Sequence, residues 1–359
     1  MKSVFRWILI TLLIAALLWL VPSEKVVAET VNIFRNQQNQ SEEAADGEAE
    51  ALPALTEEET AAADAAAPSG GRIVPIPLDL RILPEVDERY YLSETEYEDP
   101  SLSVKLTSGR RYDTDYIIAR VKIADPSQLR SALHSKDGKH GTYGDRLAKK
   151  VHAVLAFNGD SFRDNKPNDT RKYVIRQGQD VFLQKWGEKK NFFDILMIDD
   201  EANLHVLLQP TQPEVEAFVA SHNIINSFCF GPVLVLDGVR QEKPENSQRA
   251  NGVGWGKAAQ RVCLCQTGTL EYAVVVSAGE DCPGNSGMTM DEFLDVVMDE
   301  VNPRIAYNLD GGNSTWLVFH DTRQNYFGRG PSQGKREIAD IIYFASAWQA
   351  DPVTGAEGE

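Results

Sequence analysis

Ten short runs of β-branched and aromatic residues, spread from residue 115 to residue 345, constrain the fold of this chain more than any other sequence feature. Each run is bounded by Gly, Asp, Asn or Pro, a pattern typical of β-strands separated by turns. The predicted strands lie within residues 115–123, 152–159, 192–199, 204–209, 230–238, 259–265, 270–278, 304–310, 315–319 and 337–345.

Helices are predicted between some of these strands. The clearest covers residues 289–301, because Thr289 and Glu292 form a capping box before an amphipathic apolar pattern. Three further helices are predicted within residues 126–134, 143–154 and 213–222. Together the elements predict an α+β fold with a large mixed β-sheet core and helices packed on it, in a single catalytic domain over residues 71–350.

The N-terminal 28 residues have the features of an export signal. Lys2 and Arg6 precede an apolar run from Trp7 to Val21, which is short for the roughly 20 residues of a membrane-spanning helix. Small residues around Ala28 suit a cleavage site, so a signal peptide and a retained membrane anchor both stay open. Either alternative predicts an extracytoplasmic protein, secreted or tethered to the membrane, because the positive charges stay inside.

A linker is predicted between this segment and the folded domain, over residues 29–70. Its second part, residues 41–70, contains nine acidic residues and no Lys or Arg. Such a composition cannot bury a core and favours disorder, with a transient solvated helix as the alternative. A flexible tail is predicted for residues 351–359. The formal net charge of -17 would repel phosphate backbones, which argues against a nucleic-acid partner.

The four cysteines do not have the spacing of a metal site. Cys263 and Cys265 lie two residues apart in a predicted strand and so share one face, where a bond between them would be strained. A bridge from either to Cys229 or Cys282 and a set of buried thiols are both open.

The stretch YNLDGGNSTW, residues 307–316, presents Asp310 at the end of a predicted strand. Gly311 and Gly312 allow the backbone to turn sharply and to approach a ligand, and Asn313 and Ser314 supply small polar groups. The simpler alternative is an ordinary hairpin turn between two strands.

A second strand ends in polar residues in the same way. In FNGDSF, residues 157–162, Asn158, Gly159 and Asp160 follow an apolar run. Polar groups at the ends of separate strands form a site when the strands end at one edge. A local turn is again the alternative.

The order of several motifs resembles the phosphodiester glycosidase family. The resemblance extends over roughly residues 110–346 and includes FNGDSF, FGPVLVLDG, QRVCLC, GNSGMTMDEFLDVV, YNLDGGNSTW and REIADIIYF. It implies hydrolysis of a sugar-1-phosphodiester at the anomeric carbon of the sugar. The implied substrate-binding residues are Asn158, Gly159, Arg261, Gly311, Gly312, Asn313, Ser314 and Arg336.

The implied residues suit this chemistry. Arginine offers a planar set of donors for phosphate oxygens, so Arg261 and Arg336 are the predicted phosphate contacts, against the alternative of structural ion pairs. Asp310 is the first candidate for the catalytic carboxylate, with Asp160 and Glu337 as second candidates. The sequence leaves a retaining and an inverting outcome open.

No cofactor is required by the sequence. Ca²⁺ or Mg²⁺ on carboxylate and amide oxygens would fit hard-ligand chemistry, but the chain has no EF-hand-like spacing, and the metal ligands are unknown. The six histidines show no ligand spacing. The expected partners are a sugar-phosphodiester or polysaccharide substrate and, if the N-terminal segment is uncleaved, the membrane.

The chain departs from the family pattern at three places. Cys265 stands where a Gly is usual, Ala278-Gly279 replaces Asp-Gly, and Asn313 replaces a third Gly. These departures put substrate choice in question. The sequence predicts an exported hydrolase of envelope or extracellular glycoconjugates, and it leaves two alternatives open. One is a non-catalytic glycan- or anion-binding module on the same fold, and the other is a metal-dependent phosphodiesterase.

Overall fold

The computed structural model describes residues 70–136, 138, 140–160, 173–191, 193–244, 254–329 and 334–351. They belong to one compact unit, Pro68–Glu359. The predicted export segment, nearly all of the predicted linker and the predicted tail beyond Asp351 lie outside the described residues.

The described residues form 21 β-strands and three α-helices. The strands are β1 Gly71–Ile73, β2 Tyr91–Ser93, β3 Glu96–Glu98, β4 Leu102–Arg111, β5 Thr114–Ile123, β6 Leu129–Leu133, β7 Leu155–Asn158, β8 Tyr173–Arg176, β9 Gln179–Leu183, β10 Ile195–Asp199, β11 Leu204–Leu207, β12 Ile224–Phe228, β13 Val233–Leu236, β14 Val239–Arg240, β15 Arg261–Gly268, β16 Glu271–Ser277, β17 Ile305–Asn308, β18 Leu317–Phe319, β19 Thr322–Arg323, β20 Asp340–Phe344 and β21 Trp348–Ala350. The helices are α1 Gly144–Lys150, α2 Gln212–Ser221 and α3 Met290–Glu300.

Most strands belong to two sheets. The large sheet has nine strands in the order β14-β13-β17-β15-β16-β5-β4-β3-β2, and the facing sheet has five in the order β19-β18-β7-β20-β6. A three-stranded sheet, β11-β10-β12, and two strand pairs complete the structure. The predicted α+β class is confirmed. The strand pairs of the described residues are antiparallel.

The main core lies between the large sheet and the facing sheet. Val274 of β16 and Phe157 of β7 belong to the same buried cluster, because alternate residues of each strand point inward. Helix α3 covers the outer side of the large sheet with Phe293 and Val297, and α1 covers the outer side of the facing sheet with Leu147. The central strands of both sheets, among them β15, β16 and β20, are therefore buried on two faces, which explains their nearly continuous apolar runs.

Each predicted strand overlaps a strand of the structure, although β5 begins one residue before its predicted range and β15 extends three residues beyond its own. Helix α3 begins after Thr289, whose side chain accepts from Glu292 N while the Glu292 side chain accepts from Thr289 N, so the predicted capping box is present. Helices α1 and α2 lie within or one residue outside their predicted ranges.

The predicted helix over residues 126–134 is wrong. Asp125 and Gln128 form a capping box, but the helical turn that they start covers only Pro126–Gln128. The chain then extends as β6 because β20 offers a full row of backbone partners, from Asp340 opposite Leu133 to Phe344 opposite Leu129. Tertiary pairing thus outweighs the local helical signal.

Strand β4 carries no clear apolar signal because polar residues occupy many of its outward positions. It pairs with β5 along its whole length, and Arg111 lies opposite Thr114. The two turn residues, Tyr112 and Asp113, have φ values of 51° and 50°, as a tight hairpin between twisted strands requires.

The four cysteines are buried thiols in the described part of the chain. The sulfur atoms of Cys263 and Cys265 lie 3.7 Å apart on one face of β15. Cys229 interacts instead with the backbone of Tyr173. Of the two alternatives that the sequence leaves open, the structure has the thiols.

Candidate active site

The two polar strand ends converge. The side-chain amide of Asn158, at the end of β7, donates to the backbone oxygen of Asp310 at 2.6 Å. Its carbonyl oxygen accepts from the backbone nitrogen of Trp316 at 2.9 Å. The backbone nitrogen of Asp310 donates to Gly159 O at 3.4 Å. Because Asn158 is buried and holds both ends of residues 310–316, it positions this loop rather than facing open solvent.

The site loop, residues 310–315, connects two different sheets. Strand β17 before it pairs with β13 and β15 in the large sheet, whereas β18 after it pairs with β7 and β19 in the facing sheet. The hairpin alternative for Asp-Gly-Gly is therefore wrong. The loop crosses the end of the main core, where it lies between the two sheets.

The local geometry explains why glycine occupies both position 311 and position 312 of the site loop. A Cβ atom on Gly311 would lie 2.7 Å from the backbone oxygen of Gln260, closer than a real Cβ can come. The same Gln260 oxygen accepts from Gly312 N at 2.9 Å. Gly312 has a φ of +60°, which favours glycine, and its Cβ position is open. The loop is thus held against the start of β15, and a helical turn over Gly312–Ser314 follows.

Asp310 is half-buried at this junction, and Asn313 is exposed. The exposed guanidinium of Arg336 donates to the hydroxyl of Ser314 at 3.3 Å. The backbone oxygen of Arg336 accepts from the indole of Trp316 at 3.0 Å, which ties this segment to the site loop. The structure therefore brings Arg336, Ser314 and the Asp310 loop together at one rim.

A buried ion network lies beneath Gly159. The Arg176 guanidinium donates to Asp340 at 2.5 Å and to Asp160 at 3.2 Å. Burial acts to lower the pKa of Arg176, but the charges of Asp340 and Asp160 outweigh it and hold this pKa above its ordinary value. A Cβ on Gly159 would lie 2.7 Å from the Asp340 carboxylate, so only glycine fits at that point.

The other two candidate carboxylates differ in environment. Both oxygens of Asp160 accept from the backbone nitrogen of Cys229, at 2.9 and 3.0 Å, in addition to the contact with Arg176. Asp160 thus joins β7 to the end of β12, and a catalytic role for it stays a prediction. Glu337 is exposed beside Gly141.

Arg261 uses its side chain for contacts with the protein backbone, which differs from the predicted phosphate contact. Its side chain is buried, and the guanidinium donates to the backbone oxygens of Gly254 and Lys257 at 2.7 and 2.6 Å. Burial lowers the pKa of Arg261 to about 10. These contacts hold the 254–257 turn at the start of β15, so the evidence for a phosphate contact is stronger for Arg336.

Sequence reasoning missed Arg176 and Asp340 as members of the site. Arg176 ends a short apolar run, and Asp340 interrupts the apolar run of residues 337–345. A charge inside a buried strand needs a partner, which is the signal that could have indicated this pair. Their sequence separation of 164 residues hides the pairing itself.

Neither a metal cluster nor a spanning helix is found in the part of the chain that the structure describes. It contains no group of three or more His, Cys, Asp or Glu side chains that could hold a metal ion. None of its helices is long and apolar enough to cross a membrane.

The fold is that of an α+β protein in which two sheets face each other. Its candidate site is polar and lies at the ends of strands, where the site loop connects the two sheets. A model of the phosphodiester glycosidase family matches residues 152–345, more than half of the chain. The chain therefore belongs to the phosphodiester glycosidase family, a family of hydrolases that act on sugar phosphodiesters.

Several solved structures resemble this one, including the following two. The catalytic domain of zebrafish N-acetylglucosamine-1-phosphodiester alpha-N-acetylglucosaminidase, auto-inhibited by its pro-peptide, has a TM-score of 0.54 and 15% sequence identity, covering 69% of this chain and 85% of that one. A hypothetical protein from Synechocystis has a TM-score of 0.45 and 14% identity, covering 68% and 62%. At such identities the zebrafish structure supports the fold alone. Comparison with curated proteins gave no match.

Proposed function

We propose that this protein hydrolyses the bond between the anomeric carbon and the phosphate oxygen of a sugar-1-phosphodiester. Membership of the family supports the reaction class. The observation that carries the proposal is the convergence of two strand ends, in which Asn158 and Gly159 hold the backbone of Asp310. That arrangement presents one half-buried carboxylate, rather than a solvated turn, at the end of the main core.

Asp310 would stabilise the positive charge that develops on the sugar ring, or activate or deliver the nucleophile. A phosphomonoester has a second pKa of about 6 and departs far more readily than a sugar alkoxide, so a strong general acid is less necessary. This fits a site in which Asp160 is already engaged by Cys229 and Arg176. Arg336 and Ser314, at the same rim, would contact the phosphate oxygens.

The departures from the family pattern bear differently on the choice between the hydrolase and the binding module. Cys265 is buried against the α3 side of the large sheet, in the core rather than in the site loop. Ala278 lies directly before Gly279, which packs against the start of β15 near the site loop. The loss of a carboxylate at Ala278 is the specific observation that favours a non-catalytic glycan- or anion-binding module as the second candidate.

The site of action and the substrate are also proposals. The N-terminal charge and apolar pattern supports export, with a glycoconjugate of the envelope or of the exterior as substrate. The intact mass of the protein recovered from its natural source tests the fate of residues 1–28. A mature chain that begins near residue 29 means cleavage, a complete chain in the membrane fraction means an anchor, and a complete chain in the cytoplasm contradicts export.

The reaction is tested with the full chain and a panel of sugar-1-phosphodiesters in ¹⁸O-water, with and without a chelator. We expect the label on the sugar and a loss of turnover of about 1,000-fold or more in Asp310→Asn. Asp321→Asn is the matched control, because Asp321 is an exposed carboxylate after β18, the strand that follows the site loop. It should keep turnover within about twofold.

Each other result has a defined meaning. Label on the phosphate would contradict glycosidic cleavage and favour a phosphodiesterase, the more so if the chelator abolishes it. Binding without turnover across the whole panel would favour the binding module. Equal activity of Asp310→Asn and the native chain would remove Asp310 from the mechanism.

A further inference from the structure

Arg329 is a buried cation close to the site. Its side chain is 6% exposed, and one terminal nitrogen, Nη1, contacts the carboxylate of Asp281 at 2.6 Å. The other two donor atoms, Nε and Nη2, are buried and have no hydrogen-bond partner within the described chain. No motif in the sequence singled out this residue.

The two unpartnered atoms form one edge of the guanidinium plane. Nε and Nη2 donate in parallel, and this edge matches two oxygens of a phosphate or a carboxylate. Burying donors of a charged group without acceptors is unfavourable, so the edge is incomplete unless an acceptor binds there. An oxyanion matches both the charge and the two-donor geometry of this edge.

A second cation lies nearby. Arg323 is buried, stacks over the ring of Trp316 at 4.9 Å, and donates to Asn325 at 3.2 Å. Burial and then the charge of Arg329 lower the pKa of Arg323 to about 10. Asp281, the carboxylate in contact with Arg329, is half-exposed. The field between the two arginines therefore favours an anion.

Close packing connects this cluster to the site loop. A Cβ on Gly279 would lie 2.8 Å from Asp281 Oδ1 and 2.8 Å from Gln260 N. The oxygen of the same Gln260 is the atom that Gly311 and Gly312 approach. Gly334 also permits the approach of Arg329, because its Cβ would lie 2.1 Å from the guanidinium. Asp281 is thus connected to the Asp310 loop through Gly279 and Gln260.

We propose that the Nε and Nη2 edge of Arg329 binds a phosphate group beside the Asp310 loop. As the phosphate subsite of the substrate it rests on the proposed function, whereas its affinity for inorganic phosphate is a property of the arginine cluster alone. Asp281 holds the guanidinium in orientation and at the same time competes with the anion for it.

Calorimetric titration of the full chain with inorganic phosphate tests the subsite. Arg329→Gln should weaken binding about 10- to 100-fold, and Arg329→Lys should weaken it as well because an ammonium cannot present the two-donor edge. Arg304→Gln is the control, since Arg304 precedes β17 at the end opposite Asp310 and carries the same charge. It should leave the affinity unchanged within about twofold.

The Asp281→Asn variant distinguishes anion binding by Arg329 from a merely structural role of this arginine. Removal of the competing carboxylate should tighten phosphate binding by about 3- to 10-fold if Arg329 is an anion ligand. If Arg329 only holds Asp281 in place, Asp281→Asn and Arg329→Gln should both leave phosphate affinity unchanged and lower the unfolding midpoint together. Thermal unfolding of each variant checks that it is folded.

The outcomes distinguish this inference from the proposed function. Phosphate binding that requires Arg329, without turnover of any phosphodiester, would uphold the subsite and contradict the hydrolase. Turnover with an unchanged KM and unchanged phosphate inhibition in Arg329→Gln would uphold the hydrolase and overturn the subsite. Absence of phosphate binding to the native chain would also overturn it.

Discussion

At the scale of single residues, one buried amide decides the geometry of the site. Asn158 donates to Asp310 O, at the start of the site loop, and accepts from Trp316 N, directly after the loop. A shorter or apolar side chain would leave both backbone groups without these bonds. The catalytic role that we propose for Asp310 therefore depends on a residue that binds its backbone.

We expect Asn158→Ala to lower kcat about 10- to 100-fold with a smaller change in KM, because a displaced carboxylate costs rate more than binding. The free energy of unfolding should fall by about 2 to 4 kcal/mol, since two buried hydrogen bonds are lost. Steady-state kinetics and urea unfolding measure the two effects.

Asn226→Ala is the matched control for this variant. Asn226 is equally buried and accepts from Ser131 and from Gln177 N, away from the site loop. It should lose similar stability while the folded protein keeps its kcat. An equal loss of kcat in both variants would mean that Asn158 acts through stability alone.

The arginines show what residue patterns can and cannot predict about a binding site. Arg261 and Arg336 follow from the family resemblance, but only Arg336 is exposed at the rim. Arg261 is directed into a turn of backbone oxygens, and Arg329, which no pattern indicated, has the unpartnered donor edge. Sequence specifies the side chain but not its direction, because that depends on groups from distant segments.

At the scale of elements, helix α3 shows agreement between local and tertiary signals. Its capping box is encoded within four residues, and its apolar side packs on the large sheet. Asp295 on its outer side links it to two neighbours, accepting from the hydroxyl of Tyr112 at 2.6 Å and from Arg240. Burial acts to raise the pKa of Asp295, but these bonds outweigh it and hold the pKa below its ordinary value.

A carboxyl whose pKa is lower in the folded state adds stability above its unfolded pKa of about 3.9, and the contribution is lost as the pH falls through the folded value. Asp295→Asn should therefore lower the free energy of unfolding by about 1 kcal/mol at neutral pH. The difference from the native chain should shrink as the pH falls below about 4. Urea unfolding at several pH values measures this.

Asp299→Asn provides a comparison on the same helix. Asp299 is 58% exposed and contacts only Arg111 among the contacts described for its side chain. Its substitution should change the free energy of unfolding by less than about 0.5 kcal/mol. A difference for Asp295→Asn that stays constant down to pH 3 would show that the charge is not the stabilising feature.

At the scale of the whole molecule, an ion network joins segments that are far apart in sequence. Arg176 ends β8, Asp160 follows β7 and Asp340 begins β20, so one guanidinium connects a strand pair to the facing sheet directly beneath Gly159. The centroid of the Phe228 ring lies 4.0 Å from Cζ of Arg176, whose side chain is 3% exposed.

Arg176→Met should destabilise the protein by about 3 to 5 kcal/mol, because two carboxylates lose a buried partner. Arg176→Met combined with Asp340→Asn should recover part of this loss, since one of the two uncompensated charges is removed. Denaturant unfolding of the two single variants and the double variant measures the coupling. Simple additivity would contradict a buried ion pair in this position.

The sequence by itself determined the positions of the main strands, the start of α3 and the two polar strand ends. These features depend on propensity, periodicity and capping, which act over a few neighbouring residues. Prediction from the sequence fails where the structure depends on residues that are distant along the chain. The local pattern of residues 129–133 favours a helix, but these residues form a strand because they pair with β20. The Asp-Gly-Gly pattern is also typical of a hairpin, but the strands before and after it belong to different sheets.

The tertiary structure alone decided what the site contains. Asn158 reaches Asp310 across 152 residues of sequence, and Arg176 reaches Asp340 across 164. Strand pairing and the closure of two sheets set these distances, and the free energy that fixes them comes from burial over the whole core. A local pattern carries no record of such contacts, so the chemistry of the candidate residues follows from the sequence and their convergence only from the fold.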